Sequence, residues 1–482
     1  MPVRIAFIRM ISSRLVVLVL MSFGFAVLGR LLPPSAFGHF ALAMAIYTLA
    51  QTTVQFGLRQ YIVRSEEDPP RETIAAAVGL SLSIAAALCA LGLVGAAFLG
   101  GWLLPEPTAA ALVPLSFSLL VGPFLLGSEA LLQRSMRFEL IAVVEVVRVA
   151  VDVATAVSLA LLGFGAVGLA TATLLAHIAG AALLLGLGGR EKWIWPRFGA
   201  WRGLGGWGGL VTVIQLQPKV TDLILVTALS AWQGPQVLGL FNRARTIHQI
   251  LDRTLFEGIR PVILPAISGA LRGGMAPSRL YLVKLDYLMA ICWPGFALIA
   301  LMAEPLVAVL LGSQWGEVVP TVRILALMGL ALPVTKMSQK LFVALNETAV
   351  YLRLQLMQDL VRLPLALIGA LVSLEAFAAA YVAGNWIKAL GISWHLHRHF
   401  GGDGGHRRVA ARAAAVTLAS LVGPAAVLAA DLSPAATLLA ALPLAGVGWL
   451  AGVALLKHPI FGEMRDVAMG IRRAMPRLAS RF

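Results

Sequence analysis

About fourteen apolar stretches, separated by short polar or Gly/Pro-containing breaks, run the length of this 482-residue chain. They leave it few ways to fold. A helix needs about 20 apolar residues to cross the hydrocarbon core of a bilayer. The stretches fall at 11–29, 37–57, 73–98, 109–131, 139–162, 166–187, 205–229, 237–263, 284–311, 318–344, 351–372, 376–396, 409–430 and 435–456. In lipid every backbone polar group must be satisfied within the chain, and runs of this length do so as helices. The chain is 59% hydrophobic and 13% charged, with a mean hydropathy of +0.87. A soluble domain is nearer half apolar and a quarter charged. The reading is an all-α integral membrane protein of about 14 transmembrane helices, with no long polar stretch left for a soluble domain.

The basic residues give this topology a direction. With the N-terminus in the cytoplasm, the inner ends and loops hold Arg4, Arg9 and Arg14, then Arg59, Arg64 and Arg71, and so on to the tail from Lys457 to Arg481. The opposite loops hold almost nothing basic, with Arg30 at the edge of the first. This is the positive-inside pattern, and a missed span would scramble it. It implies a multi-pass membrane protein with an even number of spans and both termini cytoplasmic. The net charge of +15 then follows from topology and anionic headgroups, and no basic face remains for nucleic acid. Cys89 and Cys292 each fall inside a span and read as small apolar core residues, not as a disulfide or metal site. The N-terminus imitates a signal peptide but lacks a small-residue cleavage site, so it reads as a retained first helix.

One phrase occurs twice. "PPSAFGHFALAMAI" from Pro33 and "GPQVLGLFNRARTI" from Gly234 align without gaps. Pro34 matches Pro235, Gly38 matches Gly239 and Phe40 matches Phe241; further on, Arg59 matches Arg260. "LGGW" at Leu99 and "LGSQW" at Leu311 are a weaker echo. The main copies lie six spans apart, so both cross in the same direction: a parallel repeat about an axis along the membrane normal. The expected organisation is an N-terminal six-helix lobe (1–190), a cytoplasmic linker (191–202), and a second six-helix lobe (203–400). An extra transmembrane pair (409–456) and a basic cytoplasmic tail (457–482) follow.

Charge inside the membrane is expensive, about 2.5–3.5 kcal/mol per central residue on insertion scales. The eighth span carries Arg243, Arg245, Asp252, Arg253, Glu257 and Arg260, so these must face protein or water. Asn242, Arg245, Gln249, Arg253 and Arg260 recur at helical spacing and form one stripe. The seventh span gives Gln215, Lys219 and Asp222 on one face, and the second gives Thr48, Thr52, Gln55 and Arg59. Three such stripes suggest a shared aqueous cavity rich in Arg. A guanidinium stays charged when partly desolvated and binds phosphate or carboxylate through two parallel hydrogen bonds. The alternative is internal neutralisation, with Asp252 and Glu257 answering Arg253 and Arg260, and Glu145, Arg148 and Asp152 forming a private cluster.

Other chemistry is thin. There is no "GxxxxGK[ST]" phosphate loop, no metal site and no cofactor motif. His395, His397 and His399 in "WHLHRHF" read as a solvated cytoplasmic loop. "NET" at Asn346 is a chance sequon on the cytoplasmic side. The tail "RDVAMGIRRAMPRLASRF" is basic and amphipathic, suited to the inner leaflet.

The stretch "LGRLLPPSAFGHFALAMAIYTLAQTTVQFGLRQYIVR" resembles the opening of the polysaccharide transport family, within the superfamily that also holds multidrug MATE exporters and lipid II flippases. "LLQRSMRFELIAVVEVVRVAVDVATAVSLALLGFGAVGLA", "LGLFNRARTI" and "LLGSQWGEVVPTVRILAL" resemble later parts of it. The resemblance covers most of the chain from span 1 to span 10. It implies a two-lobed MATE-like fold, a cavity lined by the first, second, seventh and eighth helices, and export of oligosaccharides linked to undecaprenyl diphosphate. The first helix departs from related flippases, which often carry basic residues well inside it; here Arg14 and Arg30 lie near its ends.

On this reading Arg59, Lys219, Arg243, Arg245, Arg253 and Arg260 hold the diphosphate. Gln55, Gln215, Asn242 and Gln249 line the cavity, and Asp222, His248, Asp252 and Glu257 are candidates for ion coupling. The partners are the lipid-linked oligosaccharide, membrane lipids, and glycosyltransferases and a polymerase of the same pathway. Two rivals remain. A multidrug or ion antiporter would want a cavity dominated by carboxylates. A polytopic glycosyltransferase or polymerase would want large outer loops with catalytic residues.

Overall fold

The computed structural model describes residues 3–55, 71–135, 137–188, 194–199, 205–257, 267, 273–345, 347–400 and 405–465. Helices occupy the described part of every stretch expected from the sequence. They are α1 (Val3–Leu31), α2 (Pro34–Gln55), α3 (Arg71–Leu99), α4 (Glu106–Arg134), α5 (Phe138–Leu161), α6 (Gly165–Gly188) and α7 (Gly205–Glu257). After them come α8 (Pro277–Leu301), the short α9 (Ala303–Leu310) and a 3-10 turn (Ser313–Val318). The chain continues through α10 (Val319–Ala344), α11 (Thr348–Val372), α12 (Leu374–Phe400), α13 (Gly405–Leu428) and α14 (Pro434–Leu455). Ten segments among the described residues are long and apolar enough to cross a membrane. The protein is therefore a multi-pass α-helical membrane protein. α2, α5 and α12 fall outside that set; α5 and α12 carry charges whose partners are described below.

The seventh and eighth expected spans form one helical run broken at Gly234, whose φ of 90° and ψ of 166° suit glycine alone. Pro235 opens the second arm, as Pro34 opens α2; each lacks an N–H where the first turn of a helix has no use for one. The ninth expected span is also divided: α8 ends at Leu301 and α9 continues it. "WHLHRHF" lies on the last turns of α12 and is not a loop. His395 approaches Glu347 at 4.0 Å.

The chain divides into two compact units, Met1–Arg243 and Ala244–Phe482, with the boundary inside the second arm of α7. In unit 1, α3 packs on α4, α4 on α6, and α5 on α6. In unit 2, α8 packs on α10, α10 on α12, and α11 on α12. The neighbour pattern of unit 2 parallels that of unit 1. Each unit has its own apolar core, one around Tyr47, Leu115 and Leu119, the other around Tyr281, Phe296 and Phe342. Cys89 and Cys292 are buried free thiols.

The two copies of the repeated phrase meet inside unit 1. A methyl at Gly38 would overlap the carbonyl oxygen of Pro235, and one at Gly239 would overlap that of Pro34. The contact is reciprocal, so the N-terminal turns of α2 and the second arm of α7 cross about a local two-fold. The weaker echo diverges. Gly101 and Gly312 both turn the chain at positive φ, but Trp102 is exposed whereas Trp315 is fully buried. The described part of the linker, 194–199, lies on α3: the Arg197 N–H donates to the Ala75 carbonyl at 2.9 Å, Ile194 is buried, and Trp195 and Phe198 point outward.

Candidate functional site

Unit 1 encloses a cavity of about 220 Å³ between α2, α3, α4, α5 and α6. Val54, Leu119, Leu125 and Leu126 make one wall apolar, and polar side chains line the rest. A hydrogen-bonded chain runs along it. Gln51 Nε2 donates to Tyr47 Oη at 3.2 Å, and Tyr47 Oη meets Ser118 Oγ at 3.2 Å. Ser118 Oγ meets His177 Nδ1 at 3.1 Å. Arg148 Nη2 lies 3.5 Å from His177 Nε2, and Arg148 Nη1 lies 3.9 Å from Glu129 Oε1. His177 Nδ1 is also 2.7 Å from the Thr173 carbonyl. An Nδ1–H donated there leaves Nε2 to accept from the guanidinium, which fixes the tautomer. The Arg148 stem lies over Gly180, where a side chain would overlap it.

Unit 2 has a polar interior on the second arm of α7, α10, α11 and α12. His248 stacks on Phe296, with ring centroids 4.8 Å apart. Lys336 Nζ donates to Asp252 Oδ2 at 3.0 Å. Arg362 Nη2 pairs with Asp359 Oδ1 at 2.7 Å, both largely buried. The Arg362 guanidinium carbon lies 5.0 Å from the centre of the Tyr381 ring, and that of Arg245 lies 5.9 Å from it, within cation–π range. Gly384 makes room for the Arg362 stem. Lys388 Nζ donates to Tyr351 Oη at 3.1 Å.

The expected site residues are therefore dispersed. Gln55 lines the unit 1 cavity. Gln215, Lys219 and Asp222 are half-buried on the first arm of α7, and Asn242, Arg245 and Gln249 are half-buried on the second. Arg253 is exposed. Arg243 is buried over two rings, its guanidinium carbon 3.3 Å from the centre of Phe37 and 4.9 Å from that of Phe25. It packs where the two repeat copies cross, one turn beyond Gly239. Asp252 pairs with Lys336, and within the alternative cluster of Glu145, Arg148 and Asp152 the last two interact electrostatically. Glu145 is exposed, and Arg148 turns to Glu129 and His177. Arg59 and Arg260 lie outside the described residues, as does the Glu257 side chain. Among the described residues no group of three His, Cys, Asp or Glu is placed to hold a metal ion.

Sequence reasoning missed Glu129, His177, Arg362 and Lys388. Each is an ionisable residue within an apolar stretch, which is itself the signal; only the packing supplies the partner.

Long apolar helices around two polar interiors define the class: a polytopic membrane protein with the fold of the MOP superfamily of transporters. The fold is similar to that of the lipid II flippase MurJ in an inward closed conformation. The TM-score is 0.74 at 11% identity, over 94% of this chain and 99% of that one. It is also similar to an inward-facing multidrug resistance MATE family transporter, with a TM-score of 0.62 at 19% identity over 82% and 94% of the two chains.

The chain belongs to the polysaccharide biosynthesis protein family, whose profile matches residues 27–320. Among curated relatives, it is 27% identical over 318 residues to the succinoglycan biosynthesis transport protein ExoT of Rhizobium meliloti (strain 1021). That match spans 62% of this chain and 61% of the relative's length.

Proposed function

We propose that the protein moves an undecaprenyl-diphosphate-linked oligosaccharide from the cytoplasmic to the outer leaflet of the bacterial inner membrane by alternating access. The substrate would be a repeat unit of exopolysaccharide or O-antigen type. The observation that carries this reading is the basic character of the intramembrane polar groups in unit 2. Arg245, Lys336, Arg362 and Lys388 stand against Asp252 and Asp359. A positive interior attracts a diphosphate; an exporter of cationic drugs would need the opposite sign. Family membership and a relative described as a biosynthesis transport protein support the same direction.

In this reading Arg59, Lys219, Arg245, Arg253 and Arg260 meet the diphosphate while the polyprenyl tail stays in lipid. Two six-helix lobes rock about the repeat axis, with both termini cytoplasmic. Asp222, His248, Asp252 and Glu257 remain the candidates for ion coupling, and glycosyltransferases and a polymerase would act before and after this step. The test is surface polysaccharide in cells carrying Arg253→Ala or Arg260→Ala at normal membrane levels of the protein. Loss of polymer in both is expected; wild-type polymer in both removes the stripe from the anion site.

A further inference from the structure

The basic groups of unit 2 lie at two depths. Along the second arm of α7, Arg245 and Asp252 are seven residues apart; along α12, so are Tyr381 and Lys388. Seven residues of helix rise about 10 Å. At the upper level, Arg245 and Arg362 flank the Tyr381 ring, and Asp359 holds Arg362 in place. At the lower level, Lys336 meets Asp252 and Lys388 meets Tyr351. Together these groups are four bases and two acids, an excess of two positive charges, and Asp359 and Arg362 also act on Lys388 across the gap between the levels.

Neither level is a buried dead end. The Lys336 side chain is 43% exposed, and Lys388 and Arg245 are half-buried. Arg362 is nearly inaccessible, with its side chain 10% exposed. It therefore orients Tyr381 and contributes field, and Arg245, Lys336 and Lys388 are left as the groups a ligand can touch.

We propose that unit 2 holds two diphosphate-binding rungs in series, a lower one at Lys336 and Lys388 and an upper one at Arg245, with a lipid diphosphate passing between them. This rests on the function proposed above and deepens it. A diphosphate diester carries two negative charges. Leaving it unpaired in a low-dielectric interior is strongly unfavourable. One site strong enough to offset that alone would hold the anion and stop release. Two weaker sites about 10 Å apart divide the load, the arrangement that lets ions traverse a pore. Asp252 and Asp359 temper each rung: a base already engaged by a carboxylate exchanges partners without being stripped of all of them.

The full-length protein in nanodiscs, titrated with undecaprenyl diphosphate and separately with undecaprenyl phosphate, tests this. Wild type is expected to prefer the diphosphate. Lys388→Gln and Arg245→Gln should each weaken its binding about tenfold without abolishing it, and Lys388→Arg should restore it. Asp252→Asn removes the acid of the lower rung. It should tighten binding severalfold and slow flipping of a fluorescent lipid diphosphate in proteoliposomes, a gain that misfolding cannot mimic. If Lys388→Gln and Asp252→Asn bind as wild type while Arg245→Gln binds nothing, there is one site and the proposal falls. If wild type does not distinguish diphosphate from monophosphate, the proposed substrate class itself is wrong.

Discussion

Gly38 and Pro235 touch backbone to backbone, and the same contact returns with the partners exchanged between Gly239 and Pro34. The duplicated phrase is thus the surface on which its own two copies meet. Proline starts each helix, and glycine one turn later lets the other helix's first carbonyl approach. Gly38→Ala and Gly239→Ala each insert a methyl where a carbonyl already sits, and backbone cannot swing aside as a side chain can. Each is expected to destabilise the detergent-solubilised protein by about 1–3 kcal/mol, read as a lower Tm. The double variant should lose less than the two singles together, because one displacement relieves both overlaps. Full additivity would count against a shared contact.

Gly79 performs a similar service for the linker. A methyl there would overlap the carbonyl oxygen of Arg197, while Arg197 is also tied to Glu72 at 2.9 Å and to Ala75. Gly79→Ala is expected to lift this segment from α3. Limited trypsin digestion should then cut after Arg197 several times faster than in wild type, with α3 itself protected. Equal rates would mean that the segment is not held there.

Glu129 and Arg148 come from different helices of unit 1, and His177 orients the guanidinium between them. Removing either charge takes from the other this opposite charge within the membrane interior, although Arg148 keeps its electrostatic interaction with Asp152. Glu129→Gln and Arg148→Met should each lower Tm, and the double variant should recover part of the loss. A coupling energy of about 0.5–3 kcal/mol is expected for neighbours in one network. Zero coupling would show that 3.9 Å is too far for the pair to matter.

Asp286 on α8 fastens the terminal helix pair. Its Oδ2 accepts from Arg412 at 2.8 Å, and its Oδ1 lies 3.4 Å from Nε2 of the fully buried His458. Trp449 adds a bond from its ring N–H to the Ala290 carbonyl at 2.7 Å. Asp286→Ala strands the Arg412 guanidinium and should cost on the order of 3 kcal/mol. Hydrogen exchange should rise across 405–465 and leave unit 1 unchanged. Unaltered exchange in α13 and α14 would place their attachment in apolar packing alone.

The positions of the helices, the breaks between them and the repeated phrase were legible in the sequence. These depend on local properties: the length of an apolar run, proline at a first turn, glycine where φ is positive. Gly234 and Pro235 announce the break in α7 by themselves. The pairing of the charges was not legible. Arg148 has Asp152 within one turn in sequence and interacts with its charge, yet its close polar contacts are with His177 and Glu129 on other helices. Asp252 stands beside Arg253 and pairs with Lys336, 84 residues away. A helix fixes which residues share a face, but rotation about its own axis and the choice of neighbour decide what that face meets. Those two quantities are set by the packing of the whole bundle, and only the tertiary structure holds them.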